Sequence, residues 1–265
     1  MKITGWLCAL AVSAGLSSIL SSTSFGQITG KVTLTGKIPE MPEIVAIKSL
    51  PDCAKQHKNP VYDEKVVAGD KGELANVVVY IKTPEGKPLG KPLTTPAVID
   101  QLGCVYVPHV IAVTVGQPLT VKNSDMFLHN VHTLPFDNPA MNIGMPNVGQ
   151  KAVEGYKAVE TFKVKCDVHP WMGAWIVVLD NPYFGISSAD DKTMGQYKID
   201  TKDLPDGEYT LIAWHEVYGE QPPVKVKVAG GKAEVNFTIS ADKKAAAQPV
   251  KEIRLALAGK ACCTK

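Results

Sequence analysis

An all-β chain containing more than one sandwich is the fold class this sequence predicts, on three observations. Its apolar stretches alternate with period two and are rich in Val, Ile and Thr. Turn signals separate them at short intervals, in keeping with 22 glycines and 19 prolines among 265 residues. Before the C-terminal tail no stretch carries a capped apolar stripe of helical period. A composition of 45% hydrophobic and 20% charged residues excludes a collagen-like or wholly disordered chain. The formal net charge of +2 argues against a basic nucleic-acid binder. After residue 26, no apolar run approaches the roughly 18 residues that span a bilayer.

Taken in order, residues 1–26 read as a secretory signal. Lys2 follows the start, 6–19 is mostly apolar and small, and Ser24-Phe25-Gly26 offers small residues before a cut ahead of Gln27. The protein is therefore expected in the periplasm or otherwise exported. Strands are expected at 28–34, 75–81, 111–115, 119–122, 127–132, 160–165, 174–179, 197–199, 209–214, 224–228 and 234–239. Turns such as Asp70-Lys-Gly72, Pro84-Glu-Gly86, Asn123-Ser-Asp125, Pro205-Asp-Gly207 and Ala229-Gly-Gly231 punctuate them. Residues 48–63 and 135–150 read as irregular. The tail, 243–265, sets Lys243, Lys244, Lys251, Arg254, Lys260 and Lys265 against Glu252 alone, so it is basic and expected to be disordered. The body between signal and tail is mildly acidic.

Without Cys8 of the signal, Cys53, Cys104, Cys166, Cys262 and Cys263 remain. An odd number in an exported chain leaves at least one thiol without an internal disulfide partner. Cys53 and Cys104 each lie beside an irregular-to-strand transition, and a disulfide between them is expected in an oxidising compartment. Cys262 and Cys263 are adjacent and read as part of a mobile tail.

The densest chemistry lies in Cys166-Asp-Val-His169-Pro-Trp-Met172, between two strands. Three side chains, each three residues apart, can converge from one turn. A thiolate, an imidazole and a thioether are the donors that soft copper prefers. A fourth donor is sought in Phe127-Leu-His129-Asn-Val-His132, where strand alternation sends His129 and His132 to opposite faces. His129 is chosen because it lies nearest the turn and precedes Asn130, which suits a hydrogen bond to the site. His129, Cys166, His169 and a weak Met172 then match a blue-copper set. Zinc is the second choice, disfavoured by the thioether.

The pattern Asn-x-Asp, His-Asn-Val-His and Cys-x-x-His-Pro-aromatic-Met resembles the cupredoxins, the type 1 copper proteins of the amicyanin and plastocyanin kind, over residues 98–181. The resemblance implies a Greek-key β-sandwich holding one type 1 copper, with His129, Cys166 and His169 equatorial and Met172 axial. It implies that Asn130 braces the two ligand loops. It also implies that His169 is the ligand nearest the surface, with Pro170 and Trp171 as the electron-transfer surface. Redox proteins are the implied partners.

Residues 182–242 carry Leu204-Pro-Asp-Gly-Glu-Tyr-Thr-Leu211 and Ala213-Trp-His-Glu216. These are similar to the second half of carboxypeptidase regulatory-like, transthyretin-related sandwiches, whose first half is matched by Gly30-Lys-Val32 and the strand at 75–81. The expectation is one sandwich from 27–97 and 182–242 with the copper domain, 98–181, inserted, the alternative being modules in series. His57, His109, His132 and His215 read as structural or surface residues, and Met141 and Met145 as core fillers. The function expected is single-electron carriage without catalysis. Copper binding or delivery, and an adhesion or carbohydrate-binding sandwich with a structural metal, are the alternatives.

Overall fold

The computed structural model describes residues 26–243. The expected signal up to residue 25 and the tail from 244, with Cys262 and Cys263, lie outside the described residues. The strands, in chain order, are β1 (Gln27–Thr35), β2 (Val78–Ile81), β3 (Ala97–Leu102), β4 (Val105–Val107), β5 (Val110–Thr114) and β6 (Leu119–Asn123). Next come β7 (His129–Thr133), β8 (Asn142–Met145), β9 (Gly149–Val153), β10 (Glu160–Lys165), β11 (Gly173–Leu179) and β12 (Phe184–Ile186). The last are β13 (Gln196–Asp200), β14 (Gly207–His215), β15 (Gly219–Glu220), β16 (Val224–Val228), β17 (Lys232–Glu234) and β18 (Phe237–Ser240). A 3-10 turn at Val45–Ser49 and α1 (Pro51–Ala54) complete the elements. The fold is all-β, as expected.

Four sheets carry the strands. One sandwich has β5-β11-β10-β7-β8 on one side and β4-β3-β6-β9 on the other. The other has β13-β1-β17, with β18 also on β1, and β12-β2-β14-β15, with β16 also on β14. β1 runs parallel to β17 and β18, and β2 pairs with β14, so strands from both ends of the chain share these last two sheets.

Strand alternation explains how the two sandwiches join. In β5 every residue is buried. Ile111 and Val113 enter the core with Leu119, Val121, Phe162 and Ile176, whereas Val110 and Ala112 point the other way. There they meet Val78, Val177, Leu179 and Trp214 in a core shared by both bodies. β2 and β14 divide likewise, with Val79, Ile81, Leu211 and Ala213 in the second sandwich's own core. Strands buried on both faces read as continuous apolar runs, as 110–113 and 176–179 do. At about 1.5–3 kcal/mol per large aliphatic side chain buried, this shared core contributes several kcal/mol to holding the two sandwiches together.

β3, β4, β12 and β15 lie outside the expected strands, and two stretches read as irregular also depart from the expectation. Residues 135–150, read as irregular, contain β8 and the start of β9, which pair with β7 and β6. Their prolines and glycines hide a short edge pairing whose partners are supplied from elsewhere in the chain. Residues 48–63, also read as irregular, hold the end of the 3-10 turn and α1, with Pro51 at the start of the helix, where its missing N–H costs nothing.

Candidate metal centre

β10 and β11 pair up to Lys165 and Gly173, so residues 166–172 form the loop between paired strand ends. Cys166 and Met172 begin and end that loop. The Cys166 amide donates to the Met172 carbonyl at 3.3 Å and the Met172 amide to the His169 carbonyl at 2.9 Å, a tight turn that carries His169 at its apex. His129 heads β7, which lies beside β10.

From these positions the donors converge. His129 Nδ1 and His169 Nδ1 lie 2.9 Å apart, and Cys166 Sγ lies 4.0 Å from that same His169 nitrogen. The three donor atoms all fall within 4.8 Å of one another. All three residues are buried, and Met172 is buried in the same core as Cys166. His132 is on the opposite face of β7, where its Nδ1 lies 2.9 Å from Asp167 Oδ2.

Asp125 sets the tautomer of His129. Its Oδ2 lies 2.8 Å from His129 Nε2. A carboxylate only accepts, so in the neutral ring Nε2 carries the proton and Nδ1 turns its lone pair into the site. Burial opposes ionisation of Asp125, but hydrogen bonds from His129, the Cys104 and Gly103 amides and Gln56 hold its carboxyl down at about 2. Burial likewise opposes the Cys166 thiolate. Hydrogen bonds from His129 in its protonated form, whose Nδ1 then carries a proton, and from the backbone of Asn130, His169 and Val168 outweigh it and hold the thiol below its usual range. Burial and the neighbouring His129 lower His169, favouring the neutral ring that a metal needs. Two buried imidazoles, a thiol with a lowered pKa and a thioether in the same core fit a soft copper ion.

Asn130 ties strand to loop. Its Oδ1 accepts from the Asp167 amide at 2.7 Å and from the Cys166 thiol at 3.3 Å, and its Nδ2 donates to Asp167 Oδ2 at 2.8 Å and Asn142 Oδ1 at 2.6 Å. Met145 is buried in the core, where its sulfur accepts from Gln101 Nε2, and Met141 packs beside that core.

His169 is the most exposed of the four expected ligands, yet it is buried. It is only 5% exposed. The Cys53–Cys104 disulfide lies over it, with Cys53 Sγ 3.7 Å from His169 Nε2. Ile47, Ile44, Val61, Phe127 and Trp171 pack around that disulfide. Trp171 is accordingly half-buried, its indole N–H donating to the Cys104 carbonyl at 2.9 Å, and only Pro170 of the expected pair is exposed. The physical reason is a segment of distant sequence: residues 44–61, closed at the base by the Ile44 amide on the Val61 carbonyl, fold across this end of the sandwich. Exposed apolar side chains sit instead at Met126 and Leu128, before His129, and at Val168.

The anchor of this cover is the two-residue turn between β3 and β4. Gly103 and Cys104 both have positive φ, 67° and 58°, as a type I′ hairpin demands. That geometry is disfavoured for cysteine. It is offset here because both amides donate to the Asp125 carboxylate, at 2.8 and 2.9 Å. A Cβ on Gly103 would also meet the His57 ring, whose Nε2 lies 2.6 Å from the Gly103 carbonyl. Sequence reasoning did not assign Asp125 a role; the signal for it was the Asn-x-Asp turn itself, where Asn123 Oδ1 accepts from the Asp125 amide.

A second polar cluster lies nearby. His109 Nε2 bonds Glu216, its Nδ1 lies 3.8 Å from Glu64, and Glu216 also accepts from the Trp175 indole at 2.7 Å. Although its burial opposes the charge, the hydrogen bond and charge of Glu216 raise the His109 pKa. The cluster borders a 440 Å³ cleft that also reaches Cys166 and Met172. His109→Gln is expected to lower stability by about 1–2 kcal/mol in urea unfolding while leaving metal stoichiometry unchanged.

No family model and no curated protein matches the chain. Similar solved structures include a copper-containing nitrite reductase from Thermus scotoductus, at 19% identity over 37% of this chain and 25% of that one, TM-score 0.30. A purple cupredoxin from Nitrosopumilus maritimus is 19% identical over 31% of this chain and 99% of that one, TM-score 0.28. An amicyanin variant in its Cu(I) form is 22% identical over 38% of this chain and 98% of that one, TM-score 0.29. This chain thus spans a quarter of the length of the nitrite reductase.

Proposed function

We propose that this chain is an exported type 1 copper protein that carries single electrons between redox partners and does not turn over a substrate. His129, Cys166 and His169 are read as the close ligands and Met172 as the weak one. The observation that carries this reading is the convergence of two imidazole nitrogens and one low-pKa thiol, all buried, on one point. Copper bound there would supply reversible one-electron chemistry between Cu(I) and Cu(II).

The chain's own residues keep that point rigid. Asp125 holds the His129 ring, Asn130 fixes the Cys166 loop, and the paired ends at Lys165 and Gly173 close the loop base. Donors held by such partners move little on a change of charge. A redox partner would meet the exposed Met126, Leu128 and Val168 beside the ligand loops. Copper binding and delivery is the second reading, and the cover over His169 favours it, since the cover lengthens the path from ligand to surface.

Loading with Cu(II) is expected to give an intense visible band from thiolate-to-copper charge transfer that bleaches on reduction and returns on oxidation. Cys166→Ala is expected to abolish it. A folded, copper-loaded protein without the band, or a band that survives Cys166→Ala, overturns the reading. A band that bleaches but does not return favours delivery.

A further inference from the structure

The cover on His169 is made of sulfur. Cys53 Sγ lies 3.7 Å from His169 Nε2, the nitrogen on the far side of the ring from His129 and Cys166. The sulfurs of Cys53 and Cys104 and a nitrogen of His169 lie within 4.8 Å of one another, and all three residues are buried. Cys104 belongs to a second such group with Asp125 and His129. The imidazole of His169 therefore separates two donor sets, an inner one with Cys166 and an outer one with the cysteine pair.

As a disulfide, the outer sulfurs are weak donors. We infer that reduction of Cys53–Cys104 creates a second metal site, in which the two thiolates and His169 Nε2 hold a soft d10 ion at the outer edge of the same imidazole. A dithiol reductant supplies the step. Its two thiols are oxidised to a disulfide, the Cys53–Cys104 bond breaks, and each cysteine takes up one proton. Both protons leave to solvent when the metal binds, because the thiolate is the ligand.

The surroundings suit this assignment. Once the bond is cut, the two sulfurs stay close because other contacts hold the cover. These are the Ile44–Val61 backbone pair, the His57–Gly103 hydrogen bond and the Trp171 indole on Cys104. Two thiolates with an imidazole select a soft ion such as Cu(I) or Cd(II) over hard oxygen-seeking cations. The inference rests on the copper reading only for its biological sense, a staging post one imidazole ring from the inner set; the binding itself is independent of it.

The test uses the full chain with Cys8, Cys166, Cys262 and Cys263 all changed to serine, which leaves Cys53 and Cys104 as the only thiols and disables the inner set. The protein is reduced with dithiothreitol, desalted without oxygen and titrated with Cd(II), following the ultraviolet thiolate-to-cadmium band. One Cd(II) per chain is expected for the reduced protein, with binding lost in the oxidised protein. His169→Ala in the same background is expected to weaken binding about tenfold or more. Three results overturn the inference: no binding after reduction, binding indifferent to His169→Ala, or loss of the near-ultraviolet circular dichroism on reduction, which would make the disulfide purely structural. Failure here leaves the Cu(II) band of the unmodified, oxidised protein untouched, so the two readings fail separately.

Discussion

Replacing Asp125 by alanine is expected to cost about 3–5 kcal/mol of stability, because it leaves several buried donors unsatisfied at about 1–3 kcal/mol each. Asp125 is 1% exposed and, besides Gln56, anchors the Gly103 amide, the Cys104 amide and His129 Nε2. Without it the positive-φ turn at Gly103 and Cys104 loses the interaction that offsets its strain. His129 also becomes free to present either nitrogen to the site. Asp125→Asn is the milder probe, since one carbonyl oxygen can still accept while the charge is gone. Its expected outcome is a folded protein whose copper affinity falls about 10–100-fold. Urea unfolding of the alanine variant and a competitive copper titration of the asparagine variant check the two halves. A variant as stable and as tight as the unmodified protein would remove Asp125 from the site.

Acid is expected to destabilise the fold well before carboxylates protonate, and His215 is the cause. It is fully buried, its Nδ1 accepts from the Val217 amide at 3.1 Å, and its ring stacks on Tyr218. Its Nε2 has no hydrogen-bond partner among the described residues. Burial, with a smaller push from the His109 charge, lowers its pKa to about 3. The unfolded chain takes up this proton near 6.5, so stability is full above that value and falls as pH drops toward 3. At about 1.4 kcal/mol per pH unit, about 3 kcal/mol is lost by pH 4. His109 acts in the opposite direction. Its raised pKa makes its contribution complete below about 6.5 and lost as pH rises through the folded value, so it does not mask the acid limb. Unfolding free energies measured at pH 7, 5.5 and 4 should show the fall, and His215→Gln should flatten it. An equal slope in the variant would assign the acid loss elsewhere.

Much of the strand content is written locally. Period-two alternation marks β1, β6, β10, β13 and β16, which bury one face, and continuous apolar runs mark β5, β11 and the end of β14, which bury both. β8 and β9 are not marked that way. β9 is largely exposed and β8 partly so, and both owe their pairing to neighbours already in place. The loop from Cys166 to Met172 was legible for a related reason. Its donors lie within one turn, so their spacing alone restricts where they can point. His129 was harder: strand alternation only set it and His132 on opposite faces, and the choice between them rested on its place next to the turn and before Asn130.

From the sequence alone come the all-β class, the set of donors competent for copper and the odd thiol among paired ones, since each depends on residues close in the chain. Only the tertiary structure decided which sides of β5 and β11 face which core, that Asp125 steers His129, and that a disulfide lies over His169. The Cys53–His169 contact joins residues 116 positions apart. No local pattern encodes such a contact, because it is fixed by how the cover of residues 44–61 packs on a sandwich assembled from other strands. That packing also buries the ligand that lies nearest the surface.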